Sequence, residues 1–282
     1  MKRYVLYNPK AGDFSSEEKA RACFGDFAGE TEFQDVTLIV DYAEFLKGLT
    51  AEDKIILCGG DGTLNRFANH CAGLQYPCDV LYLPTGSGND FAREMEERGE
   101  TAPFLIHTYI QNLPTVAVNG KTYSFINGVG FGIDGYCCEV GDKLKEQGKK
   151  PNYTAIAIKG LLFHYKICDA TVIVDGKEYF FKNVWLAPTM YGKYYGGGMI
   201  PTPNQDRNGK EKTLSVLLFT GKSKLKTLML FPSIFKGEHV KKEKYTTVLS
   251  GKEITVRYSS PRALQIDGET IVGVTEYTAK ID

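Results

Sequence analysis

The stretch Lys54-Ile55-Ile56-Leu57-Cys58-Gly59-Gly60-Asp61-Gly62-Thr63-Leu64-Asn65 decides the fold class. Residues 54–58 are an apolar run of strand length. The run stops at a glycine-rich turn, and a helical segment over 64–71 follows. Glycine adopts positive φ and lets backbone approach a ligand closely. Amides at a following helix N-terminus attract phosphate. Working outward, the same strand–turn–helix unit recurs on both sides. A short strand over 3–7 enters Asn8-Pro9-Lys10-Ala11-Gly12, with Ser15 or Ser16 placed to cap a helix running to Phe24. A strand over 80–83 enters Pro84-Thr85-Gly86-Ser87-Gly88-Asn89, with a helix over 90–98. A strand over 35–40 and a short helix over 43–49 complete an alternating order, which predicts a parallel sheet covered by helices. In an open parallel sheet such turns converge at the carboxyl edge, where ligands bind.

The later sequence reads differently. Residues 171–174, Asp175-Gly176 and 178–181 form a hairpin signal. Further strands are expected over 183–187, 213–220, 246–249, 253–258, 263–266 and 270–275. One late helix is expected over 223–230, with Leu225, Leu228 and Met229 on one face. The expected architecture is α/β plus mostly β. An α/β nucleotide-binding domain over 1–118, rejoined by the extreme C-terminus, precedes a β-sandwich-like domain over 119–282.

Composition narrows the class. The chain has 282 residues, 43% hydrophobic, which is globular rather than disordered. Its 30 Gly and 11 Pro follow no period, which excludes a collagen-like chain. No signal segment and no apolar run long enough to span a membrane is read. Seven cysteines without a CxxC pair and four scattered histidines argue against a disulfide framework or zinc site and for reduced, cytosolic thiols. Zero net charge conceals a polarity: residues 1–125 carry a net −7 and residues 126–282 a net +7. Residues 222–244 hold seven lysines against Glu238 and Glu243, interleaved with Leu225, Leu228, Met229, Phe231 and Phe235. That combination suits an anionic membrane surface; a core helix with a solvated face is the plainer reading.

No GxxxxGK[ST] occurs. A literal GxGxxG at Gly130–Gly135 lies mid-chain, not in the first βαβ unit, and reads as a packing turn. Asp61 within a phosphate-cradling turn calls for an accompanying cation, and Mg²⁺ with nucleotide supplies one. The alternative is that Asp61 caps its own helix.

Five segments together resemble the diacylglycerol kinase catalytic family, which includes bacterial lipid kinases and sphingosine kinases and is more distantly related to NAD kinases. Asn8-Pro9-Lys10-Ala11-Gly12 resembles its NPxxG loop, and Gly59-Gly60-Asp61-Gly62-Thr63-Leu64-Asn65 its GGDGTLN motif. Residues 83–93 are similar to its PxGTxNDFAR segment, Gly196-Gly197-Gly198-Met199 to GGGM, and Asp267-Gly268-Glu269 to DGE. The resemblance implies a two-domain kinase that binds ATP and Mg²⁺ between its lobes and phosphorylates a lipid hydroxyl, diacylglycerol first. It assigns nucleotide contacts to Asn8, Pro9, Lys10, Ala11, Gly12, Gly59, Gly60, Asp61, Gly62, Thr63, Leu64, Asn65 and Ser87. Asp61 and Glu269 are the implied catalytic residues, with Glu269 the base. Asp206 and Asn208 stand where the family's DDG metal loop would be.

Three departures are visible: Arg66 follows GGDGTLN where the family carries Glu, no Asp occurs between Asp90 and Asp134, and Asn208 replaces a carboxylate. Two alternatives stay open, a NAD-kinase-like phosphotransferase acting on a soluble ribose and a catalytically silent nucleotide-binding module. The expected setting is cytoplasmic and peripherally membrane-associated. The expected partners are a lipid substrate at an anionic surface and a second copy in a homodimer, with no nucleic acid.

Overall fold

Strand β3 (Lys54–Gly59) carries five consecutive buried residues, Ile55 to Gly59. That continuous apolar run fits a central parallel strand covered on both faces. The structure, a computed structural model, describes residues 1–25 and 29–282. Its chain divides into two units, Met1–Leu113 and Pro114–Asp282.

In the first unit the elements alternate as β1 (Lys2–Tyr7), α1 (Ser16–Phe24), β2 (Glu30–Asp35), α2 (Tyr42–Lys47), β3, α3 (Asp61–Cys71), β4 (Asp79–Pro84), α4 (Asp90–Glu97), β5 (Phe104–Leu105) and α5 (His107–Ile110). The sheet order is β2-β1-β3-β4-β5. The first four strands run parallel and β5 is antiparallel to β4. Ala20 and Phe24 of α1 pack on Val5, Ile56 and Cys58. Beside β4, Tyr82 meets Phe91 and Phe104 edge to face and the two Phe rings are tilted against each other, with centroids 5.9 to 6.1 Å apart. The strand expected over 35–40 is corrected: β2 ends at Asp35 and a 3₁₀ turn, Val36–Leu38, follows. The Asp35 carboxylate accepts the Thr37 amide at 2.8 Å, which closes the turn and ends the strand. Ser15 does not cap α1 either; its hydroxyl donates to the Gly12 carbonyl at 2.5 Å.

The second unit contains β6 (Thr115–Val118), β7 (Lys121–Ser124), β8 (Gly128–Gly132), α6 (Ile133–Glu146), α7 (Tyr153–Lys159), a π-helical turn (Gly160–His164), β9 (Cys168–Val174), β10 (Lys177–Met190), β11 (Leu214–Thr220), α8 (Lys224–Leu230), 3₁₀ turns over Phe231–Lys236 and Glu238–Lys241, β12 (Thr246–Gly251), β13 (Glu253–Ile266) and β14 (Glu269–Lys280). A nine-stranded sheet runs β12-β11-β10-β8-β13-β14-β6-β7, and β9 pairs with both β10 and β13. Its pairings are antiparallel. The expected domain limit at 118 moves to Leu113, because β6 pairs with β14 and β7. The C-terminal strand β14 therefore belongs to this unit and does not rejoin the first.

The mid-chain GxGxxG is a packing element. Gly130 and Gly132 sit in the fully buried β8, where a Cβ on Gly130 would lie 2.5 Å from the Pro188 Cα. A Cβ on Gly135 would lie 2.1 Å from the Ala263 carbonyl oxygen. The expected face of α8 is also corrected. Leu228 packs on the core, while Leu225 and Met229 are exposed. No helix among the described residues is long and apolar enough to cross a membrane.

Candidate functional site

The three glycine-rich turns follow β1, β3 and β4, and the first unit brings them together. The Asn8 amide donates to the Cys58 carbonyl at 3.1 Å and its side-chain Nδ2 donates to Thr63 Oγ1 at 2.8 Å, tying the first turn to α3. Asn8 Oδ1 accepts the Lys10 amide at 3.0 Å, so Pro9 lies at the apex of an Asx turn. The Ala11 amide donates to the Asn8 carbonyl, and Lys10 is exposed. Gly12 has φ +59, and a Cβ there would lie 2.0 Å from the Thr85 carbonyl oxygen. Ser16 and Thr85 share a buried hydroxyl pair at 2.6 Å, a second link from the first turn to the third.

The second and third turns meet backbone to backbone. The Gly59 carbonyl accepts Thr85 N at 2.8 Å, Gly86 N at 3.1 Å and the Tyr82 hydroxyl at 3.0 Å. A Cβ on Gly86 would lie 2.3 Å from the Gly60 Cα. Asn89, in the left-handed region at φ +51, donates Nδ2 to the Gly86 carbonyl at 2.9 Å. Thr63 and Leu64 turn their side chains inward, Thr63 against Gly59 and Leu64 into the core. Asn65 is buried and its Oδ1 accepts Asn69 Nδ2 at 3.1 Å. These three therefore offer a ligand only backbone, while Lys10 and Ser87 keep exposed side chains.

Asp61 answers the charge question posed by its turn. Gly60 holds the N-cap position of α3, Asp61's own helix, and the Asp61 carboxylate reaches another: its Oδ2 accepts the Asp90 amide and its Oδ1 the Phe91 amide, each at 2.9 Å. The carboxylate thus caps α4 across the turn, where the helix N-terminus favours negative charge. A carboxylate oxygen can accept more than one partner. Mg²⁺ is commonly held by one or two carboxylates plus phosphate oxygens, so this donor set fits Mg²⁺ brought in with a nucleotide. The side-chain-free surface of Gly60, Gly86 and Gly12 fits a phosphate chain laid over backbone. Sequence reasoning missed Ser16, Thr85 and Asn89 as builders of this site. Only the Asn89 position, where a left-handed residue precedes a helix, carried a local signal.

In the second unit, Asp267 and Gly268 have φ +46 and +91 and close a tight hairpin between β13 and β14. The Asp267 carboxylate accepts three successive amides, Ile126 at 2.5 Å, Asn127 at 2.8 Å and Gly128 at 2.9 Å. The Gly268 amide donates to Gln265 Oε1 at 2.9 Å. Glu269 then opens β14 and is exposed. Arg207 is buried, donates to Asn127 Oδ1 at 3.2 Å and lies 5.2 Å from the Tyr191 ring centroid. The arginine in this departed metal loop therefore braces the strand entry that Asp267 grips. Asp206 and Asn208 are exposed, and Asp206 Oδ1 accepts the Asn208 amide at 3.0 Å. Asp206 borders a polar cavity of about 430 Å³ shared with Thr202, Gln205, Glu211 and Ser250, and Asn208 is not part of its lining. No cluster of three His, Cys, Asp or Glu with metal-holding geometry occurs among the described residues. The Gly196, Gly197 and Gly198 run is entirely at positive φ, bracketed by the Tyr195–Met199 bridge.

One buried acid stands outside every sequence-predicted role. Asp134, in the first turn of α6, is 8% exposed. Burial pushes its carboxyl up to about 7. Gly135, Gln265 and Tyr195 lie close enough to favour the charged form, but neither carboxylate oxygen completes a hydrogen bond, so desolvation wins.

Comparison with known proteins now bears on this geometry. Residues 2–117 match the diacylglycerol kinase catalytic domain, and residues 127–281 match the YegS C-terminal NAD kinase beta sandwich-like domain. The chain belongs to the diacylglycerol kinase catalytic-domain family. A diacylglycerol kinase of Bacillus subtilis is 26% identical over 278 residues, covering 94% of this chain and 88% of the relative. A diacylglycerol kinase of Mycobacterium tuberculosis is 26% identical over 202 residues, 69% of this chain. The match spans 64% of that relative's length. The crystal structure of a diacylglycerol kinase from Bacillus anthracis superposes with a TM-score of 0.63 at 21% identity, covering 100% of this chain and 94% of the other. That likeness shows the same fold, an N-terminal parallel-sheet domain followed by a β-rich one.

Proposed function

We propose that this protein is an ATP-dependent lipid kinase, with diacylglycerol the first substrate to test and phosphatidic acid the product, working peripherally at the cytoplasmic face of an anionic membrane. The observation that carries the reading is the convergence of the three turns: Gly60 against Gly86, Gly12 against Thr85 and Asn8 on Thr63. They leave a glycine surface beside the N-termini of α3 and α4, suited to a polyphosphate. When bound with nucleotide, Mg²⁺ would neutralise charge on the phosphoryl oxygens. Asp61 is the residue to hold it, with α4 fixing the carboxylate's orientation. Exposed Lys10 supplies a cation at the rim, and Ser87 a hydroxyl. In this reading Glu269 accepts the proton of the attacking lipid hydroxyl, the role a carboxylate base fills in phosphoryl transfer. Its position is fixed by the Asp267 grip on Ile126, Asn127 and Gly128.

The test is incubation of the protein with labelled ATP, Mg²⁺ and a panel of lipid alcohols, beside Asp61→Ala and Glu269→Gln. Both variants are expected to lose turnover, while Glu269→Gln keeps nucleotide affinity. Normal turnover by Glu269→Gln overturns the base assignment. Phosphorylation of NAD with none of any lipid overturns the substrate class, and nucleotide binding without transfer to any acceptor overturns the enzyme reading.

A further inference from the structure

Burial assigns two segments of the second unit an unusual surface. On the π-helical turn Phe163 is 71% exposed, and on α8 Leu225 and Met229 are 64% and 65% exposed. Phe235, in the following 3₁₀ turn, is 45% exposed. The segments touch. Lys224 Nζ donates to the Leu162 carbonyl at 2.9 Å, and the Phe231 and Phe235 rings stand 6.5 Å apart. Leu228 and Phe231 pack inward on the core, so Leu225 and Met229, one helical turn apart, project from the opposite face.

The charge along this ridge is predominantly positive. Residues 154–168 and 221–237 contain six lysines and neither Asp nor Glu. All six are exposed. Arg262 adds a further cation, held by the Lys166 carbonyl at 2.9 Å. Asp169 and Glu238 directly follow the two stretches, and Asp169 accepts the Asn183 amide at 2.9 Å. On α6, Glu139 pairs with Lys143 at 2.6 Å and Asp142 with Lys145 at 3.2 Å.

We propose that the face formed by the π-helical turn and α8 docks the protein onto an anionic lipid bilayer, inserting Phe163, Leu225 and Met229 between headgroups while the flanking lysines meet lipid phosphates. The proposal rests on the lipid-kinase reading for its purpose, and on burial and charge for its location. An acidic protein would satisfy the lysines. The bilayer is favoured because exposed apolar side chains share this face with lysines, Leu225 standing between Lys224 and Lys226, the mixture seen in interfacial helices. The docking stretch expected over 222–244 is thereby redrawn: Phe163 and Lys159, distant in sequence, join it.

The test is sedimentation with phosphatidylcholine vesicles with and without phosphatidylglycerol, in the absence of ATP and diacylglycerol. Wild-type protein is expected to bind the anionic vesicles and release them as salt rises. Phe163→Ser/Leu225→Ser/Met229→Ser and Lys222→Gln/Lys226→Gln are each expected to weaken binding roughly tenfold or more. Both sets lie at exposed positions, and unchanged circular dichroism and thermal midpoint are expected. Activity on a short-chain, detergent-dispersed diacylglycerol should be unchanged in both. Equal binding to neutral and anionic vesicles, or undiminished binding by both variants, overturns the proposal. So does retention on an acidic polypeptide resin with no vesicle binding. Vesicle binding without lipid phosphorylation leaves the surface standing and removes the kinase reading; phosphorylation of dispersed lipid without vesicle binding does the reverse.

Discussion

Two hairpins of the second unit begin with the same dipeptide, Asp175-Gly176 before Lys177 and Asp267-Gly268 before Glu269. Both place Asp and Gly at positive φ, +49 and +81 in the first and +46 and +91 in the second. In both, the Asp carboxylate grips backbone amides of another segment. Asp175 Oδ1 accepts Lys252 N and Glu253 N, each at 2.9 Å, at an exposed sheet end. Asp267 instead holds three amides leading into the buried strand β8, with Arg207 and Tyr191 packed behind Asn127. The turn chemistry is therefore common property; what differs is the segment gripped and the residue after glycine. A DG turn makes a hairpin anywhere, and becomes a candidate site only where its grip fixes a carboxylate against a rigid strand.

Exchange of the residue after glycine is the severest way to break that contrast. Glu269→Gln should lower lipid phosphorylation by about 10²- to 10⁴-fold, with Lys177→Gln indistinguishable from wild type in the same assay. The second contrast is titration, because the second turn has a buried acid nearby: Gln265, which holds the Gly268 amide, lies close to Asp134. Folded Asp134 keeps its proton up to about 7 while the unfolded chain releases it near 4, so its burial costs stability as pH rises through that interval and costs the full amount above it. That displacement is worth about 4 kcal/mol at most. Asp134→Asn should raise the urea-unfolding stability at pH 8, and the gain should vanish at pH 4; a constant gain across pH would refute the assignment. Next, Asp267→Ala leaves three amides without their acceptor and should cost about 3 kcal/mol. The same change at Asp175 faces solvent and should cost about 1 kcal/mol. Equal urea midpoints for the two alanine variants would show that the grips are equivalent.

The alternating unit was legible because its signals are local: apolar runs that stop at glycine, followed by helix. So was the set of three turns, since glycine clusters mark places where backbone must come close. What was not legible depended on partners far away in the chain. The cap that Asp61 places on α4 spans 29 and 30 positions. The link from Arg207 to Asn127 spans 80, and that from Asp267 to Asn127 spans 140. Helix α6 was missed because Gly135 and Gly141 weaken its propensity. Gly135 is required where the helix meets the Ala263 backbone, and Gly141 leaves room for the Tyr153 ring. Strand β13 read as two pieces because Ser259, Ser260 and Pro261 interrupt the apolar pattern, and the register shifts between Arg257 and Arg262 within one continuous strand. Residues 35–40 misled because an apolar run after Asp35 resembles a strand until the side chain of that Asp closes a turn.

The seam between Gly60 and Gly86 has a consequence for anyone who would re-engineer this protein. Two peptide chains 26 positions apart meet so closely that a Cβ on Gly86 would lie 2.3 Å from the Gly60 Cα, and one on Gly60 3.2 Å from the Gly86 Cα, so neither position can be varied as an independent knob. A library that randomises position 86 while keeping position 60 will discard nearly every member for want of room, and pairs of changes across the seam will not combine additively. Specificity in this fold is more safely altered from the rim, at positions such as Lys10 and Ser87 whose side chains stand clear of the join.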